Sequence, residues 1–63
     1  MSKSLIEIKK KYLEELYIQL AAEFEKMASG TGAEKARCQQ EIDRLDKEIK
    51  QVEAEIEKLS SQT

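Results

Sequence analysis

The chain has 63 residues, 38% of them charged and 5% aromatic, with no His, no Pro and a formal net charge of −2. A chain this short forms one domain at most and buries little apolar surface, so its stability depends on close packing or on association. The missing His excludes imidazole-based metal sites and catalysis, and the acidic balance gives no general attraction to nucleic acid or to an anionic membrane.

The first predicted helix covers about residues 5–28. Ser4 and Glu7 have the spacing of a capping box, in which Ser4 caps the helix start and Glu7 bonds back to the Ser4 amide. Apolar residues then recur at an interval of seven and predict a core stripe. The stripe consists of Ile6, Leu13, Leu20 and Met27, flanked by Leu16, Tyr17 and Phe24.

Residues 29–32 read Ser-Gly-Thr-Gly and predict a tight turn. Gly30 stands just past the first helix, where Gly commonly takes a left-handed conformation. Thr31 and Glu34 form a second capping-box pattern, which predicts a second helix over about residues 33–60. A single continuous helix is the alternative, but its two central Gly would cost roughly 2 kcal/mol relative to Ala. The segment therefore favours an antiparallel hairpin.

The second helix carries a narrow heptad seam of apolar residues with a three-four spacing. The seam consists of Ile42, Leu45, Ile49, Val52, Ile56 and Leu59, and Cys38 extends it toward the turn as a core-filling residue. In a parallel homodimer, acidic residues beside the seam would face one another, for example Glu48 and Glu53 of two copies. The seam is therefore predicted to pack on the first helix of its own chain.

The expected register brings apolar residues of the two helices together. It pairs Leu20 with Ile42, Tyr17 with Leu45, Leu13 with Ile49, and Ile6 with Ile56, and it sets the Lys9–Lys11 run beside Glu53, Glu55 and Glu57. Each exposed ion pair contributes only a few tenths of a kcal/mol, yet several together favour this register. The predicted fold is thus all-α: one domain, 1–63, forming an antiparallel two-helix hairpin.

The first helix has more apolar surface than a hairpin uses, whereas the second has little beyond its seam. We therefore expect a partner to bind the first helix, and two hairpins to assemble into a four-helix bundle. The predicted partner-binding residues are Leu5, Ile8, Tyr12 and Ile18. The partner is a second copy or a matching hairpin.

Other functions have weak support in the sequence. The carboxylates are interleaved with Lys and Arg, which is typical of solvated helix faces, so no enzyme, metal or cofactor is expected. Gly30-Thr31-Gly32 lacks the strand and the Gly-Lys-Ser/Thr ending of a phosphate loop. The Lys9–Lys11 run could serve an RNA-binding four-helix bundle, but it is short and surrounded by acids. A lone Cys and the lack of a long apolar run favour a cytoplasmic chain without a membrane partner.

Three segments carry a family resemblance: KYLEELY at 11–17, AEKARCQQEI at 33–42 and EAEIEKL at 53–59. They resemble the short effector-associated helical hairpins of bacteria, common in cyanobacteria, which lie at the ends of signalling NTPases, caspase-like proteases or TIR-type effectors. The resemblance implies an adaptor module without catalytic residues, which links an effector to a signalling partner. The alternative is a small co-chaperone of a type III secretion subunit, since such co-chaperones are also two-helix hairpins.

Overall fold

The fold is an all-α hairpin, as the sequence predicted. A computed structural model describes the backbone of residues 2–61 and the side chains of 4–61. It consists of α1 (Ser2–Ser29) and α2 (Gly32–Ser61), with no strand among the described residues. The molecule measures 47 × 15 × 11 Å. Because 28 helical residues span about 42 Å, the long dimension is that of one helix, and the two helices lie side by side.

The start of α1 differs from the prediction. Ser4 lies inside α1, which already includes Ser2, so the expected capping role of Ser4 is wrong. A capping-box pattern marks a helix start only where something upstream ends the helix. Neither Gly nor Pro stands at residues 2 or 3, so the helix continues through them.

The connection is shorter than the expected four-residue turn, because only Gly30 and Thr31 lie between the helices. No Gly in the described chain has a positive φ, so the predicted left-handed conformation of Gly30 is wrong. The residue is needed for another reason. A Cβ atom at Gly30 would lie 3.0 Å from the Lys26 carbonyl oxygen and 3.1 Å from the Glu34 Cβ. Gly30 therefore permits the close approach of the end of α1 to the start of α2.

The predicted capping residues do stand at the start of α2, although the helix begins one residue early at Gly32. The Thr31 amide donates to the Glu34 Oε1 at 3.3 Å, and the Thr31 hydroxyl donates to the same oxygen at 2.9 Å. These bonds, the one from the hydroxyl first, lower the pKa of Glu34 because they stabilise its ionised form. The Thr31 hydroxyl thus acts as a donor to Glu34 instead of capping an amide.

The core lies between the helices and comes mostly from α2. Its buried residues are Leu16 of α1 and Cys38, Ile42, Leu45, Ile49 and Val52 of α2. Leu13, Leu20 and Ile56 pack against this core. The predicted α2 seam is thus buried from Ile42 to Val52 and partly buried beyond it.

The centre of the α1 stripe differs from the prediction. Leu16, expected beside the stripe, is its most buried residue at 2% exposure, whereas Tyr17 and Phe24 are about half exposed. Leu13, Leu16 and Leu20 follow a three-four spacing, and the helix pair centres on the middle one. Because Leu16 lies at the centre of the contact with α2, Tyr17 and Phe24 lie at the edge of the interface.

The antiparallel register agrees with the expected one at the charged residues near the open end. Lys9 Nζ lies 3.4 Å from Glu55 Oε1. Lys10 and Lys11 form no ion pair with the α2 acids in the described chain. One Lys of the run therefore supports the hairpin.

Candidate interaction surface on α1

The large apolar side chains that the described structure leaves exposed all belong to α1. They are Leu5 at 43%, Ile8 at 64%, Tyr12 at 45%, Tyr17 at 46%, Ile18 at 62% and Phe24 at 49% exposure. The four predicted partner-binding residues are all among them. The other two are Tyr17 and Phe24, which were predicted to flank the core stripe. These six residues are called the α1 surface below.

Two members of the α1 surface also bind α2. The Tyr12 hydroxyl donates to Glu48 Oε1 at 2.6 Å, and the Tyr17 hydroxyl donates to Glu53 Oε2 at 2.8 Å. Tyr12 and Tyr17 are five positions apart and hence about 140° apart around α1. The two hydrogen bonds therefore lie on opposite flanks of the helix pair.

Both hydrogen bonds raise the pKa of the tyrosine involved, primarily because ionisation would remove the donated proton. Partial burial and the nearby carboxylate charge act in the same direction. Tyr12 was predicted only as a partner-binding residue, and the structure gives it a contact within the hairpin. Each tyrosine reaches an acidic residue beside the α2 seam, and these acidic flanks are the sequence signal for the two contacts.

Leu5 lies at the open end of the hairpin, at the edge of the interface. It lines a shallow groove together with Lys9, Glu55, Lys58 and Leu59. The Lys9–Glu55 ion pair crosses from one helix to the other in this groove. Leu5 is therefore partly covered by the hairpin itself, which agrees with its 43% exposure.

Phe24 lies near the turn, at the edge of another shallow groove. The groove is lined by Phe24, Met27, Ala28, Lys35, Ala36 and Gln39. The pattern that could have indicated this patch is the spacing of Phe24 and Ala28 along one flank of α1, with Ala36 beside them on α2.

Ile8 and Ile18 differ from the other four because they are the most exposed and lie away from α2. Ile18 follows the buried Leu16 by two residues, which places it about 200° around the helix from the core. The residues on this side have a three-four spacing. They are Ile8, Lys11, Glu15, Ile18 and Ala22, and they are called the outer face of α1 below.

The charged side chains of the described residues pair mostly with neighbours on their own helix. No group of three or more His, Cys, Asp or Glu side chains there could hold a metal ion. Acidic residues pair with basic neighbours on the same helix, as Arg44 does with Glu41 at 2.9 Å. Cys38 is free and buried, and the pKa of its thiol is raised by this burial and further by Glu23. A thiol in these surroundings is a weak nucleophile.

Neither helix, over the residues described, is long and apolar enough to cross a membrane. Comparisons with protein-family models, with curated proteins and with solved structures find no significant match to this chain. By its fold, the protein is an antiparallel helical hairpin, and the large apolar side chains exposed in its described residues lie on α1. The resemblance to effector-associated hairpins stays a prediction.

Proposed function

We propose that this hairpin is a protein-pairing module that binds a second copy of itself, or a matching hairpin, through α1. The observation that carries the proposal is that, among the described residues, the six exposed large apolar side chains all lie on α1. Full burial of an Ile, Leu or aromatic side chain contributes about 1.5–3 kcal/mol. Covering several of these partly exposed residues thus offsets a good part of the association cost, which is about 4–15 kcal/mol.

Pairing through α1 gives an arrangement of four helices with the two α1 helices inside and the two α2 helices outside. The composition of α2 supports this order, because its exposed positions are charged, polar or small and suit contact with water. In the cell, pairing of this kind would serve an adaptor that brings an effector to a signalling partner in the cytoplasm. The segments that resemble effector-associated hairpins support this role.

The pairing is tested by comparing two lysine substitutions at exposed positions. Ile18→Lys places a charge on the α1 surface, and Gln51→Lys places the same charge on an exposed position of α2. We expect the mass of the wild type in sedimentation equilibrium to rise with concentration, the Ile18→Lys variant to associate more weakly, and Gln51→Lys to match the wild type. Helix content in concentrated samples should be the same in all three.

Two results would contradict the proposal. One is a wild-type mass that stays monomeric at every concentration, and the other is an equal loss of association in both lysine variants. The adaptor role has a separate test, which is co-purification with the products of neighbouring genes. Recovery of a secretion subunit as the specific partner would replace the signalling role with that of a co-chaperone.

A further inference from the structure

We infer that two copies pair through the outer face of α1, antiparallel and related by a two-fold axis that lies level with position 13 along the helix, on the side opposite Leu13. In this arrangement, Ile8 packs against Ile18 of the second copy, and Lys11 faces Glu15 of the second copy. The inference rests on the proposed pairing through α1 and adds the identity of the partner and the register.

The outer face of α1 is symmetric about position 13. Ile8 and Ile18 lie at equal distances from position 13, and so do Lys11 and Glu15. When a helix pairs with an antiparallel copy about position 13, residues whose numbers add up to 26 face each other. The same register therefore matches the apolar residues with each other and the opposite charges with each other. It also places Ser4 opposite Ala22, two small side chains that allow close approach.

The two isoleucines of the outer face are largely exposed within one hairpin. Ile8 and Ile18 are the two most exposed members of the α1 surface, at 64% and 62%. By contrast, Leu5 lines a groove together with residues of α2, and Tyr12 donates a hydrogen bond to α2. The register thus brings together the two residues of the α1 surface that have the largest exposed fractions.

The two charged residues of the outer face lack ion-pair partners within the described hairpin. Lys11 and Glu15 form no ion pair or hydrogen bond with any side chain in the described chain. They are four residues apart on one helix, but Lys preceding Glu is the weaker order for a pair within a helix. In the antiparallel pair, two Lys11 and two Glu15 residues alternate around the two-fold axis, so that each charge faces an opposite one.

Other registers match fewer of these residues. A parallel pair sets Lys11 against Lys11 and Glu15 against Glu15. An antiparallel pair centred on Ile18 sets Lys11 against Glu25, but it leaves Glu15 opposite Ala21 and Ile8 opposite Ala28. Of these registers, only the antiparallel pair centred on position 13 matches both isoleucines and both charges together.

The test uses reversed charges and mixed samples. Lys11→Glu and Glu15→Lys each turn two attractive contacts of the symmetric dimer into repulsive ones, so each variant should self-associate about tenfold more weakly. An equimolar mixture of the two variants restores both contacts and should associate as tightly as the wild type. The double variant K11E/E15K should also self-associate like the wild type. Sedimentation equilibrium measures the affinities, and native mass spectrometry identifies the mixed dimer.

A matched control comes from the same helix. Glu25→Lys makes the same substitution at an exposed position ten residues beyond Glu15, and in this register it should leave self-association unchanged. Added salt should reduce the differences among all variants, since the charges are exposed to solvent.

The possible results separate this inference from the proposed function. A wild type that associates with no change in either single variant, or with a loss only in Glu25→Lys, overturns the register and leaves pairing through α1 in place. Failure of the mixture to recover affinity also overturns it. A monomeric wild type overturns both the inference and the pairing.

Discussion

The two helices of this hairpin are nearly equal in length but use their apolar residues in opposite ways. Among the described residues, α2 contributes five of the six buried apolar side chains and none of the exposed large ones. In α1, one residue is buried and six large ones are exposed. The total apolar content of a helix therefore does not indicate how much of it the fold buries, because the width of the apolar face decides what is left for a partner.

The narrow seam of α2 is covered from both sides. Tyr12 reaches Glu48 on one flank and Tyr17 reaches Glu53 on the other, so side chains of α1 extend over the seam. Among the described residues, α2 exposes no large apolar side chain that could cover α1 in the same way, and the positions beside its seam are mostly acidic. The same two tyrosines thus shield α2 and enlarge the exposed surface of α1.

The largest expected effect compares a buried residue of α2 with an exposed residue of α1. Leu45→Ala removes a side chain that is 1% exposed and should destabilise the hairpin by about 2–5 kcal/mol. In dilute solution, Ile18→Ala should change stability by about 0.5 kcal/mol or less, because Ile18 is 62% exposed. Urea unfolding followed by circular dichroism measures both. Equal destabilisation by the two substitutions would contradict the division between the helices.

A smaller effect is expected where the two helices meet. Gly30→Ala should destabilise by about 1 kcal/mol, since the new Cβ would crowd the Lys26 carbonyl oxygen at 3.0 Å. Gly32→Ala should stabilise by about 0.5–1 kcal/mol, since its Cβ meets no atom within 4 Å and Ala favours the helix. Thermal unfolding of the two variants should thus give shifts of opposite sign. A stabilising effect of Gly30→Ala would show that the close approach is not tight.

The smallest expected effect is a dependence on pH that comes from the two tyrosines. Their pKa values are raised in the folded hairpin, so their contribution to stability is present below the ordinary pKa of about 10 and is lost as the pH rises through the raised value. The double variant Y12F/Y17F should lose this contribution at all pH values. Above about pH 10, the melting temperatures of wild type and variant should therefore converge.

All other ionisable groups are the same in both proteins, so the difference between the two pH curves isolates the tyrosines. A constant difference from pH 8 to 12 would mean that neither hydroxyl bond contributes.

The buried seam of α2 and the position of the connection were predicted from the sequence. The three-four spacing of α2 and its acidic flanks predicted a seam facing the same chain, and Ile42, Leu45, Ile49 and Val52 are indeed buried. Thr31 and Glu34 marked the start of α2 because their hydrogen bonds depend only on local spacing. The Ser4–Glu7 pattern has the same local spacing but did not mark the start of α1, because nothing upstream of it ends the helix.

The exposed state of Tyr17 and Phe24 could not be predicted in this way. The position of a residue around its own helix gives a direction, but exposure depends on what the other helix places opposite. For Phe24, α2 offers Lys35, Ala36 and Gln39, which line the groove without covering the ring. The tyrosine hydrogen bonds likewise depend on the register, which the sequence indicated only approximately.

The two-residue connection also has a consequence for how the hairpin folds. The loss of chain entropy on closing a loop grows with its length, so the first contacts form at lowest entropic cost beside Gly30 and Thr31. Packing of α1 on α2 then extends from the connection toward the open end, as is typical of proteins whose contacts join residues near in sequence. Opening should run in the reverse order, beginning at Leu5 and Leu59. The buried thiol of Cys38, close to the connection, should then be among the last groups to become accessible to a labelling reagent.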